Sequence, residues 1–336
     1  MGKLLGHGHF LPHNKGQHPR FSVEFVEAFP EVFARVSDAP LLQELVQRHH
    51  NDREHFASEF LVQNIEDRHV RTLAALVSKA DRLSSSQPGA GFEQWQDYRE
   101  TALTSILERV NRVDIENPQL RYHVRTLQPP PSLEVTFPDE FPTFGQGELN
   151  QHITEFREDF HRLFQNGKIG AVDTTDFECL ISYMLNVLYK YAWCIPSNTQ
   201  EAIPDVSLYD HLKTTAAVAS CLYLYHSDTQ TLNEHEIGRA DIHRFCLVAG
   251  DLSEIQKYIF DIATVGTGRG VARRLRSRSF FVQLYAETAS HLILSRLGLP
   301  IGVHTIINSG GRFYLLLPNL PQVKTILDEA ARSVDT

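Results

Sequence analysis

One stretch constrains this chain more than any other. Residues 245–283 read FCLVAGDLSEIQKYIFDIATVGTGRGVARRLRSRSFFVQ. An apolar run closes on Gly-Asp, a helical pattern follows at once, and a loop marked by Gly266 and Gly268 leads into a second helix studded with arginine. This layout sets one carboxylate (Asp251), one hydroxyl (Ser253) and a cationic stripe at the mouth of a strand, a place suited to a nucleotide. Ser253 also suits a helix N-cap, and for an isolated Gly-Asp-x-Ser the cap is the simpler reading. Arg269, Arg273, Arg274, Arg276 and Arg278 tilt the balance toward a phosphate or RNA partner, because almost no acid lies near them in sequence. Arg274 and Arg278 share one helical face; Arg269, Arg273 and Arg276 share another more loosely.

The remainder of the last third predicts a strand over 244–250, helices over 252–262 and 270–297, strands over 302–308 and 312–317, and a helix over 321–334. Ser309-Gly310-Gly311 joins the last two strands as a hairpin turn. The order fits a ferredoxin-like β-α-β-β-α-β unit without its last strand. Two glycines at the turn would let a triphosphate approach closely, yet Arg312 stands where a second acid would be needed to hold Mg²⁺. A plain tight turn remains a reasonable alternative.

Upstream, three- and four-residue apolar spacing predicts helices over 25–36, 41–50, 70–83 and 92–110, then over 149–166, 177–193 and 210–225. A proline-rich stretch, 125–147, interrupts them. The expected fold class is α+β. It comprises an all-α domain over 1–124, a Pro-rich linker over 125–147, a helical connector over 148–238 and an incomplete palm over 239–336. His18, His49, His50 and Asp81 lie at helix-length intervals, and imidazoles with one carboxylate suit a divalent metal that activates water for phosphodiester cleavage. Spacing alone favours solvated histidines over a metal site.

The net charge of −9 argues against a protein that coats nucleic acid by bulk electrostatics, so any such contact must use a local basic patch. Four scattered cysteines form neither a zinc module nor a disulfide framework and fit a reducing cytosol. With no apolar stretch long enough to span a bilayer, the expected setting is cytoplasmic.

Four motifs, in order, carry a family resemblance. Residues 250–260 (GDLSEIQKYIF), 272–281 (ARRLRSRSFF), 208–217 (LYDHLKTTAA) and 309–313 (SGGRF) resemble the large subunit of type III CRISPR–Cas effector complexes, most of all the Csm type. The resemblance implies an HD-type helical nuclease domain followed by the first of two palms. It implies antiviral defence, cleavage of single-stranded DNA with Mn, Ni, Co or Mg, and help in binding ATP with Mg for cyclic oligoadenylate synthesis by a GGDD palm. Site residues carried over are His18, His49, His50 and Asp81 for metal. For the nucleotide they are Asp251, Ser253, Gln256, Arg274, Arg278, Ser279, Ser309, Gly310, Gly311 and Arg312. Implied partners are the small subunit, a crRNA-binding subunit and, through them, crRNA and target RNA.

Two departures qualify the transfer. Met1-Gly2-Lys3 looks like the last three residues of the family's H-D-x-G-K, which places the dyad ahead of the chain, and no GGDD is present; intrinsic activity would then be weak or absent. Glu254 replaces a usual glycine. Two other readings stand beside this one. The first is a stand-alone HD-type phosphohydrolase in which His7, His9 and His13 replace the dyad. The second is an inert interaction scaffold.

Overall fold

A computed structural model describes residues 4, 18–33, 38–54, 56–85, 100–108, 120–128, 137–142, 144–164, 168–169, 172–173, 177–199, 201, 203–260 and 270–334. His7, His9, His13, Gly266, Gly268 and Arg269 lie outside these residues. The chain divides into two compact units, Met1–Thr215 and Ala216–Thr336.

The first unit is mainly helical. Its helices are α1 (His18–Ala28), α2 (Pro30–Phe33), α3 (Ala39–Gln47), α4 (Arg68–Ser85), α5 (Gln146–Phe164) and α6 (Phe177–Ala192), with a two-residue strand pair β1 (Lys168–Ile169) and β2 (Val172–Asp173). Pro30 starts a new helical turn where the spacing predicted one unbroken helix. It lacks the N–H that a continuous helix would need. Asp38 caps α3 by accepting from the Leu41 amide, and a proline occupies its first turn. The core is aromatic: Phe25 of α1 and Phe29 just after it meet Phe160 of α5 edge-on at 4.7 and 4.6 Å between ring centroids, beside buried Phe156 and Tyr191.

The helix expected over 92–110 is not formed across 101–105. Thr101 to Ser105 are consecutively buried, and Thr104 bridges Arg121 in antiparallel fashion. Burial on both sides removes the single apolar face a surface helix needs. The backbone instead pairs outward, from the Thr104 amide to the Pro204 carbonyl and from the Ser105 amide to the Leu120 carbonyl.

The boundary between units falls inside α7 (Leu208–Asp228), and a short α8 (Glu234–Gly238) follows. The second unit then runs β3 (Phe245–Asp251), α9 (Ile255–Phe260), α10 (Val271–Arg296), α11 (Ile301–His304), β4 (Thr305–Ser309), β5 (Arg312–Pro318) and α12 (Pro321–Val334). The sheet order is β3-β5-β4 with both pairings antiparallel, so β3 and β4 run parallel on either side of β5. Phe313, Leu315 and Leu317 alternate on β5 and bury against Ala286, Ala289 and Ile293 of α10 and Leu320 and Val323 near α12. The strand expected from 302 starts at Thr305 instead. Pro300 caps a helical turn that buries Val303 and His304 first.

Two buried imidazoles follow from this packing. His152 donates from Nε2 to the Tyr191 carbonyl, and His304 donates from Nδ1 to the Leu316 carbonyl. Burial holds both below the ordinary histidine value, since the charged form would lose its hydration. Unfolded histidines take up protons near pH ~6.5, while these stay neutral in the fold. Their contribution is therefore present above that value and lost as pH falls below it. The urea midpoint of the chain should drop between about pH 7.5 and about pH 5.5, and His304→Gln should flatten the drop. An equal midpoint at both values would contradict this.

Candidate functional site

In the first unit three imidazoles converge. His18 opens α1, while His49 and His50 follow α3. The His50 backbone is pinned by a parallel bridge to Leu61: its amide donates to the Phe60 carbonyl and its carbonyl accepts from the Val62 amide. Its ring stacks on Phe56, with centroids 3.6 Å apart. The His18 Nε2 then lies 3.3 Å from His49 Nε2 and 3.2 Å from His50 Nε2. Two nitrogens bound at about 2.05 Å to one tetrahedral ion sit about 3.3 Å apart, so this spacing fits ligands of a shared cation. The three residues form a set in which every pair of donor atoms is within 4.8 Å, and all are partly exposed, leaving a path for an ion.

Asp81 is not a member of that set. From α4 its Oδ1 accepts from His211 Nε2 at 3.1 Å, and His211 is wholly buried on α7. The Ser84 hydroxyl lies 3.0 Å from His211 Nδ1 and fixes the other face of the ring. Sequence reasoning assigned no role to His211. Its partner lies 130 residues away, and its one legible signal was its place within the 208–217 motif.

In the second unit the strand mouth forms as the register dictates. Asp251 is the last residue of β3 and faces Arg312, the first of β5. Arg312 grips it with two bonds, Nε to Oδ1 at 3.1 Å and Nη2 to Oδ2 at 3.3 Å. The carboxylate in turn raises the already high guanidinium pKa. A shallow cleft of about 460 Å³ is lined by Asp251, Gln256, Ser309, Gly310 and Arg312, with Leu252, Glu254, Ile255 and Lys257. Ser253 lines an adjoining cavity of about 890 Å³ bounded by β3, α9, α10 and α12, which shares Asp251 with the cleft.

Gly311, Arg274, Arg278 and Ser279 are not brought to the cleft. Arg278 donates to the Tyr258 carbonyl and lies over the Tyr258 ring, 5.1 Å from its centroid. Arg274 and Ser279 are exposed on α10. Gly311 is buried at φ +86°, where a Cβ would come within 2.4 Å of the Ile255 side chain. Gln283 of α10, absent from the sequence-based set, secures the turn: its Oε1 accepts from the Gly310 amide at 3.1 Å.

With this geometry in place, comparisons with known proteins give what the chain resembles. A model described as Csm1 subunit domain B matches residues 244–336. A CRISPR system single-strand-specific deoxyribonuclease, Cas10/Csm1 of subtype III-A from Methanocaldococcus jannaschii, is 30% identical over 94% of this chain. The chain is similar to Cas10/Csm1 over nearly all of its length. It spans 39% of the length of that relative. A crystal structure of Csm1 from T. onnurineus shares the fold over 98% of this chain and 39% of its own, with TM-score 0.64 and 23% identity. A Csm1–Csm4 cassette in complex with AMPPNP covers the same shares at TM-score 0.65 and 24% identity. The resemblance read from the four motifs is borne out, as is the mixed helical and antiparallel-sheet character.

Glu254, where the resemblance implies a glycine, adopts φ +57°. A left-handed residue with a Cβ costs about 1–2 kcal/mol, against about 0.5–1 kcal/mol for the extra unfolded-state freedom of glycine. Its pairing with Lys257 at 3.2 Å is exposed and worth little. Glu254→Gly should therefore stabilise the chain by about 0.5–1 kcal/mol in urea unfolding. Destabilisation would show that the carboxylate contributes more than its backbone costs.

Proposed function

We propose that this chain acts within the large subunit of a type III-A CRISPR effector in antiviral defence. On this reading an HD-like domain over 1–124 is joined, through 125–147 and the connector 148–238, to a palm over 239–336. The parallel β3 and β4 with β5 between them support the palm, being the split arrangement of a β-α-β-β-α-β unit without its last strand. The observation that carries the functional reading is the convergence of His18, His49 and His50 on one point.

Three imidazole lone pairs aimed together repel one another unless a proton or a cation lies between them, and neutral imidazole suits Mn, Co, Ni or Zn. These three side chains would hold a divalent ion, whereas Asp81 of α4 is engaged by His211. A bound ion supplies Lewis acidity and a water of lowered pKa for attack on a phosphodiester. The partly exposed setting of the three histidines admits a single DNA strand, the substrate class in the name of the Methanocaldococcus relative. The 336 residues contain neither a His-Asp dipeptide nor a GGDD, so the set assembled here is histidine-rich and the palm is a supporting one.

The second unit contributes a nucleotide cleft. Ser309, Gln256 and Lys257 offer donors to phosphate oxygens, while Asp251 is already neutralised by Arg312. The cleft would help bind ATP beside a GGDD palm without itself supplying a pair of metal-binding acids. The AMPPNP complex of the Csm1–Csm4 cassette supports this assignment, and it makes a Csm4-type subunit the first partner to test.

Metal content decides the central part. The purified chain should bind one Mn²⁺, Ni²⁺ or Co²⁺ per molecule by calorimetry, and His18→Ala or His50→Ala should abolish binding. Undiminished binding in the His18 and His50 variants would refute the assignment. Metal binding without cleavage of circular single-stranded DNA would retain the site and reject nuclease action by this chain.

A further inference from the structure

Helix α10 carries a surface that neither the metal set nor the nucleotide cleft uses. Arg273, Arg276, Phe280 and Leu284 recur at three- and four-residue intervals and so lie on one face. The opposite face bears Val282, Ala286, Ala289 and Ile293, all buried. The outward face is therefore set by the packing of the helix. Phe280 is 68% exposed and Leu284 48%, with Phe281 beside them at 51%.

Solvation alone accounts for arginines on an outer face, but not for the phenylalanines next to them. The half-helix 271–284 contains four arginines and no acid, in a chain whose net charge is −9. Arg278 is engaged by Tyr258, and Arg312 by Asp251. Arg273, Arg274 and Arg276 are exposed and have no acidic partner among the described residues. Guanidinium groups one turn apart, followed by exposed rings, combine the two elements that hold a single strand: cations for the backbone and π faces for unstacked bases.

We infer that this face of α10 binds single-stranded nucleic acid, with Arg273 and Arg276 on successive phosphates and Phe280 stacked on a base. An acidic protein helix is the competing occupant. Arginine without lysine, the exposed Phe280 ring and only one exposed aliphatic side chain on the face favour the nucleic acid. Binding here is independent of the metal set, and chelator in the assay keeps the two apart.

Anisotropy of fluorescein-labelled oligo-dT and oligo-U, titrated with the full chain in EDTA across a salt series, tests it. For single strands the slope of log K against log salt falls by about 0.7 for each phosphate no longer neutralised, so Arg273→Gln/Arg276→Gln should flatten it by about 1.4. Phe280→Ala should weaken binding about five- to a hundred-fold with the slope unchanged, and Phe280→Tyr should restore it. Lys324→Gln, an exposed charge change on α12, should have little effect. No binding by the unmodified chain at low salt would overturn the inference, as would a double variant indistinguishable from Lys324→Gln. Preferential capture of poly-glutamate, abolished in the same arginine variants, would overturn it too and assign the face to an acidic protein.

Discussion

The antiparallel pairing of β3 with β5 is the constraint on which the second unit rests. It runs in unbroken register from Phe245 opposite Pro318 to Asp251 opposite Arg312. Side chains alternate across a sheet, so a slip of one residue would turn Phe313, Leu315 and Leu317 out of the core. Gly250 keeps the register from slipping: the Phe313 ring lies where a Cβ would stand, 2.1 Å away. The same register that fills the core delivers Asp251 and Arg312 to one end of the sheet. The chemistry of the mouth is thus a consequence of the packing behind it.

On the proposed palm reading, that pairing puts an internal cation, Arg312, on the carboxylate that would otherwise be free for a metal ion. Both side chains are exposed, so the pair adds little to stability. Its consequence is chemical. A carboxylate gripped at both oxygens is a poor ligand for Mg²⁺, while donors around it remain open to phosphate. Arginines serve two roles in this unit. Arg312 and Arg278 are used internally, on Asp251 and Tyr258, whereas Arg273, Arg274 and Arg276 face outward.

Local pattern made much of this legible. The helix over 321–334, the strand closing on Gly250-Asp251 and the turn at Gly310 follow from short-range spacing and turn chemistry, and each is found in place. Long-range effects were hidden. Residues 101–105 show helical spacing, yet they pair with Leu120 and Pro204, partners that no local window contains. The turn at 301–304 depends on His304 being drawn into the core. Of the candidate residues, His18, His49 and His50 meet because α1 and α3 pack together, whereas Asp81 is taken by His211 from a helix that only tertiary structure brings near. The arginine run was visible, but its division into engaged and outward-facing members was not: Arg278 differs from Arg276 only in the tyrosine it reaches.

The claim that Arg312 takes the place of a metal at the strand mouth is open to direct measurement. Mn²⁺ titrated with AMPPNP into the His18→Ala/His49→Ala/His50→Ala chain, and followed by electron paramagnetic resonance, reports ions held by the second unit. No protein-bound Mn²⁺ is expected beyond that carried by the nucleotide. Stoichiometric Mn²⁺ that disappears on Asp251→Asn would contradict the claim.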